Sequence, residues 1–81
     1  MNSSAEVISQ IICDKFEIEP SKIHPQATLE DIGIDSLDVF DIVFAIEEQL
    51  GIKVSNDDVK IAVFQDLVDL IDRLRREQGK A

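Results

Sequence analysis

The sequence predicts an all-α fold: a small four-helix bundle of three main helices and one short one, with a long loop between the first and second. Three observations carry that prediction. With 81 residues, the chain 1–81 has room for one domain and one core. Apolar residues recur at helical spacing in three segments, and nothing shows the strict alternation of a half-buried strand. Pro20, Pro25 and Gly33 punctuate the stretch between the first two of those segments.

The first helix opens at Ser3, whose spacing to Glu6 makes a capping box. It buries Val7, Ile8, Ile11, Ile12 and Phe16, and Pro20 closes off its end region. The connection from Glu17 to Ile34 is long enough to be functional or to hold short turns. Ile18, Ile23, Ala27, Leu29 and Ile32 pin it to the core. The second helix runs from Ser36 to Leu50, with Asp35 as N-cap accepting the Asp38 N–H and Gly51 ending it. Ser55 and Asp58 offer a weak cap for a brief third helix from Asn56 to Ile61. The fourth runs from Gln65 to Arg76, with Phe64, Leu67, Val68, Leu70, Ile71 and Leu74 on one side and a basic last turn that suits the helix dipole.

Composition narrows the function. Seventeen acids against eight bases give a net charge of −9, and a pI near 4.3 accompanies it. Such a surface repels nucleic acid and anionic membranes and favours basic protein partners. The acidity is concentrated: from Ile23 to Ile52 there is no Lys or Arg, yet Glu30, Asp31, Asp35, Asp38, Asp41, Glu47 and Glu48 all fall there. Cys13 is the only cysteine, which rules out an internal disulfide and fits a reducing compartment. No signal-peptide pattern and no run long enough to span a bilayer is present, so a cytoplasmic protein without stable membrane insertion is expected.

The chemistry-bearing feature is Gly33-Ile34-Asp35-Ser36-Leu37-Asp38, directly before the longest apolar-periodic run. Asp35 relieves Ser36 of capping duty, so the Ser36 hydroxyl is expected at the helix tip and open to an enzyme. Without further context, the favoured reading of Ser36 is an ordinary helix-start serine, the commonest role of Ser there. The second helix also has two apolar faces. Val39, Ile42, Val43, Ile46 and Leu50 form the core face, while Leu37, Phe40 and Phe44 lie on another side flanked by Asp41, Glu47 and Glu48. An apolar patch rimmed by charge is the anatomy of a docking surface, although Phe40 and Phe44 could instead fill core volume under the long loop. His24 is alone in that loop without a metal or acid–base partner pattern, and Asp57-Asp58 lacks the ligand spacing of a calcium loop. Metal binding and catalysis by the chain itself are not expected.

Asp35-Ser36-Leu37 followed by an acid, with the length, acidity, long first loop and Glu47-Glu48 on an acidic second helix, resembles the acyl carrier protein family over nearly the whole chain. The resemblance implies that 1–81 is one acyl carrier domain. Ser36 would carry 4'-phosphopantetheine, donated by coenzyme A, whose thiol holds acyl groups as thioesters for fatty acid, lipid or polyketide biosynthesis. Asp35 and Leu37 would flank the attachment point. Leu37, Asp38, Phe40, Asp41, Phe44, Glu47 and Glu48 would form the docking face for a phosphopantetheinyl transferase (the holo-carrier synthase) and for acyl-transferring and synthase enzymes with basic docking patches. Ile42, Val43, Ile46, Leu50, Ile61 and Phe64 would line an acyl-chain cavity, and the carrier would act as a monomer. Phe40, Phe44 and Ala62-Val63-Phe64 depart from the usual family pattern, as does the lack of a Pro in Val54 to Val59, so a dedicated carrier of one pathway fits as well as a housekeeping one. Gly33-Ile34 before Asp35 is unlike the Gly-Gly of aminoacyl and peptidyl carriers. The alternative is a cofactor-free acidic helical adaptor that docks through Leu37, Phe40 and Phe44.

Overall fold

The computed structural model describes residues 3–55 and 61–79. Four α-helices are present among them: α1 (Ser4–Phe16), α2 (Leu29–Ile32), α3 (Asp38–Leu50) and α4 (Phe64–Glu77). A single 3-10 turn, Pro20–Lys22, lies between α1 and α2. The described residues contain no strand, only an isolated antiparallel bridge between Thr28 and Val63. The all-α expectation holds, and so do the three main helices.

The ends of α1 show what fixes its length. The Ser3 hydroxyl accepts the Glu6 N–H at 3.2 Å, as the capping spacing requires. At the other end Glu17 takes a left-handed conformation (φ 54°), which stops the helix where no glycine is available. Val7, Ile8, Ile11 and Ile12 are buried, and Phe16 is half-buried against the core. Ser4, fully buried, is satisfied from a distance: Arg75 at the far end of α4 donates to its hydroxyl at 3.0 Å.

A short helix that the sequence reading does not anticipate, α2, forms within the long connection. Thr28 and Asp31 make a reciprocal capping box, with Thr28 Oγ1 accepting the Asp31 N–H at 3.1 Å and the Asp31 carboxylate accepting the Thr28 N–H at 3.3 Å. Gly33 ends α2 at φ 98°, a conformation that L side chains rarely adopt. The long loop is therefore broken by a helix of its own, and Ala27 and Ile32 anchor it in the core. The helix expected from Asn56 to Ile61 lies largely outside the described residues, and Ile61 itself is not helical.

The same connection caps α4. Phe64 N–H donates to the Ala27 carbonyl at 2.9 Å and Gln65 N–H to the Pro25 carbonyl at 3.0 Å. Two donors left without partners in the first turn of α4 are thus satisfied across the fold. Asp66 serves the chain just before the helix, its Oδ2 accepting Ala62 N–H at 3.0 Å and Val63 N–H at 3.2 Å. α1 packs against both α3 and α4, and Ile8, Ile12, Ile42, Ile46, Leu67 and Ile71 make the sealed centre. Burial of side chains of this size stabilises by roughly 1.5–3 kcal/mol each. After the buried Ile34, the turn of Asp35, Ser36 and Leu37 that leads into α3 is exposed.

Candidate functional site

The Asp35–Asp38 turn differs in detail from the expectation. Asp35 does not cap the Asp38 N–H through its side chain. That N–H donates to the Asp35 main-chain carbonyl at 3.0 Å, closing a turn over Ser36 and Leu37. Freed from that task, the Asp35 carboxylate reaches the nearest donor, the Ser36 N–H, at 2.6 Å. Asp38 returns the bond, its Oδ2 accepting the Asp35 N–H at 3.1 Å. Helix α3 accordingly starts at Asp38 rather than at Ser36.

Ser36 is exposed at the outer corner of this turn. Its Oγ lies 3.4 Å from Asp35 Oδ1, a long contact that biases the hydroxyl without tying it down. Beside it opens a groove of about 450 Å³ whose walls are Thr28, Leu29, Glu30, Ile34, Asp35, Ser36 and Ala62. Thr28, Leu29, Glu30, Ile34 and Ala62 were not picked out as site residues from the sequence. The signal was there in Thr28-Leu-Glu-Asp31 before Gly33, a capping box that brings α2 up beside the serine.

The second apolar face of α3 is real. Leu37, Phe40 and Phe44 are 71%, 47% and 63% exposed, whereas Val39, Ile42, Val43 and Ile46 are buried. Asp41 and Glu48 are exposed beside that ridge, and Asp38 is half-buried. Glu47 is placed otherwise: half-buried, with its Oε2 accepting the Val54 N–H at 3.0 Å. Ile42, Val43, Ile46 and Phe64 lie in the closed core, with Leu50 and Ile61 half-buried against it. None of these six lines the groove beside Ser36. Cys13 and His24 lie elsewhere, on a groove between α1 and the long connection. No three His, Cys, Asp or Glu side chains among the described residues are placed to hold a metal ion. No helix among them is long and apolar enough to cross a membrane.

Comparison with known proteins bears on this geometry. Residues 6–77 match the family model described as "Phosphopantetheine attachment site". The chain is 39% identical over 74 residues to an acyl carrier protein of Zymomonas mobilis, covering 89% of this chain and 95% of that one. It is 32% identical over 77 residues to an acyl carrier protein of Solidesulfovibrio magneticus, covering 93% and 99%. A shorter match, 47% over 55 residues, is to the acyl carrier protein AcpXL of Mesorhizobium japonicum, covering 67% of this chain and 59% of that one. The chain belongs to the acyl carrier proteins, non-catalytic carriers that bear 4'-phosphopantetheine covalently.

Proposed function

We propose that Ser36 is the residue to which 4'-phosphopantetheine is attached, and that 1–81 acts as one monomeric, cytoplasmic acyl carrier domain serving fatty acid or other lipid biosynthesis. The observation that carries this is the Ser36 hydroxyl, exposed on a turn held by Asp35 and Asp38 at the mouth of a groove. The residues present fit the group. A tether needs an exposed oxygen on a rigid base, and the reciprocal bonds of Asp35 and Asp38 supply the base. Leu29, Ile34 and Ala62 give the adjacent groove apolar wall, and Thr28 gives it a hydroxyl. When bound, the group supplies a thiol that holds acyl chains as thioesters.

The remaining serines serve this purpose less well. Ser4 is buried and Ser9 half-buried, while Ser3 is engaged as the cap of α1. Ser21 sits in the 3-10 turn Pro20–Lys22, and Ser55 lies away from the groove beside α2. The start of α3 favours negative charge through its dipole, but Asp35 and Asp38 repel an anion there, so the dipole contributes only in part.

Leu37, Phe40 and Phe44, rimmed by Asp38, Asp41 and Glu48, form the docking ridge for a phosphopantetheinyl transferase and for acyl-handling enzymes. Such partners present an apolar slot bordered by Lys or Arg. Charge complementarity of that kind speeds encounter and makes it salt-sensitive. Ile42, Val43, Ile46, Leu50, Ile61 and Phe64 receive the acyl chain by parting, since they are packed together without it. The two exposed rings give the ridge a shape of its own and suit a carrier dedicated to one pathway.

Incubation with coenzyme A and a broad-specificity phosphopantetheinyl transferase tests the assignment. The wild type gains one phosphopantetheine mass, and Ser36→Ala gains none while keeping its stability to within about 0.5 kcal/mol, as expected of an exposed position. A wild type left unmodified by several such transferases contradicts it.

A further inference from the structure

We infer that Glu47 is a positioning residue for the start of the α3–α4 connection, with Gln78 as its counterpart, and is not one of the docking charges of α3. The inference rests on the docking reading only in saying which surface Glu47 is absent from.

Residues 52–54 run without a neighbouring strand, so their main-chain groups need partners from elsewhere. Two side chains supply them, one from the end of α4 and one from α3. The Gln78 amide clamps Lys53, its Oε1 accepting the Lys53 N–H at 2.9 Å and its Nε2 donating to the Lys53 carbonyl at 2.8 Å. One residue on, the Val54 N–H donates to Glu47 Oε2 at 3.0 Å in a partly buried setting. Lys53 is thereby held by Gln78, the C-cap of α4, and Val54 by Glu47 of α3.

The bond matters because of what the segment delivers. Gly51 ends α3, with its N–H on the Glu47 carbonyl at 2.9 Å, and Ile52 follows at 2% exposure. Glu47 therefore holds the chain on both sides of a core residue, by its carbonyl before Ile52 and by its carboxylate after it. With its carboxylate turned to Val54 in a half-buried position, Glu47 differs from Asp41 and Glu48, which are exposed.

Substitutions that separate charge from acceptor test this. Glu47→Gln keeps an oxygen for Val54 and removes the charge, whereas Glu47→Ala removes both. Amide hydrogen exchange at Val54 in the full chain is expected to rise roughly tenfold in Glu47→Ala, the loss of one bond to a charged acceptor, and to stay near wild type in Glu47→Gln. Gln78→Ala should speed exchange at Lys53 in the same way, and this readout stands if Glu47→Ala does not fold. In transferase loading, Glu47→Gln is expected to keep the wild-type rate and salt dependence to within about twofold, while Asp41→Asn slows loading and flattens the salt dependence. Unchanged Val54 exchange in Glu47→Ala overturns the inference. So does Glu47→Gln slowing and flattening loading as Asp41→Asn does. If Asp41→Asn itself leaves the salt dependence intact, the electrostatic docking reading fails, and Val54 exchange still decides the role of Glu47.

Discussion

Asp66 shows how a single side chain in this fold is tuned by main-chain donors. N–H bonds from Ala62 and then Val63 hold its carboxyl below the usual 3.8. The folded state therefore binds the Asp66 proton less tightly than the unfolded chain does. Its contribution to stability is present in full above the ordinary carboxylate value, and it is lost as pH falls through the lowered folded value. Asp66→Asn, which cannot titrate, is expected to give a shallower loss of stability on the acid side in denaturant titrations from pH 6 to pH 2, and an unchanged acid limb would count against this role. The Ser36 turn belongs to the same scale. Residue identities announced an exposed serine between two acids, but the pattern of bonds among them was not legible. Asp35 has a main-chain carbonyl as well as a carboxylate in reach of Asp38, and only coordinates show that the carbonyl takes that donor.

Among the elements, α3 explains most of the proposed function, because it offers a different face to each of two neighbours. Its face of Val39, Ile42, Val43 and Ile46 is buried in the core, and its outward ridge of Leu37, Phe40 and Phe44 is exposed. Helical spacing separates the two faces but leaves open whether Phe40 and Phe44 fill core volume under the long loop, and their exposure decides it. Phe44→Ala is accordingly expected to change thermal stability little, by about 0.5 kcal/mol or less, and to weaken binding of a transferase at least severalfold, as aromatic anchors do. A stability loss of several kcal/mol in calorimetry would instead place Phe44 in the packing. Helix α2 was harder to find. Four residues are too few to show a 3.6-residue period, so only its caps, Thr28 with Asp31 and then Gly33, could announce it. Without α2 the groove beside Ser36 could not be drawn, which is why Leu29 and Ala62 were missed.

At the scale of the whole molecule, one sealed core carries an acidic, exposed end. The three long helices and their buried faces were legible because each is long enough to show its period. The cross-links that set their relative positions were not, since Arg75 to Ser4, Gln78 to Lys53 and the Ala27 carbonyl to Phe64 join residues distant in sequence. The proposal that Ile42, Val43 and Ile46 admit an acyl chain makes the core both a scaffold and a container. Ile46 is fully buried, so Ile46→Ala is expected to cost about 2–4 kcal/mol in denaturant unfolding of the unacylated protein. Part of that loss should be recovered on acylation if the chain fills the space left behind, and no recovery with any chain length would argue that acyl groups stay outside the core.

The most direct measurement is fragmentation mass spectrometry of the protein purified from its native host. The chain has six serines, Ser3, Ser4, Ser9, Ser21, Ser36 and Ser55, and the fragments can tell them apart. One phosphopantetheine mass on the fragment holding Asp35-Ser36-Leu37, and on no other, is the expected result. The group found on a different serine, or native protein that never bears it, would contradict the assignment of Ser36 as the tether.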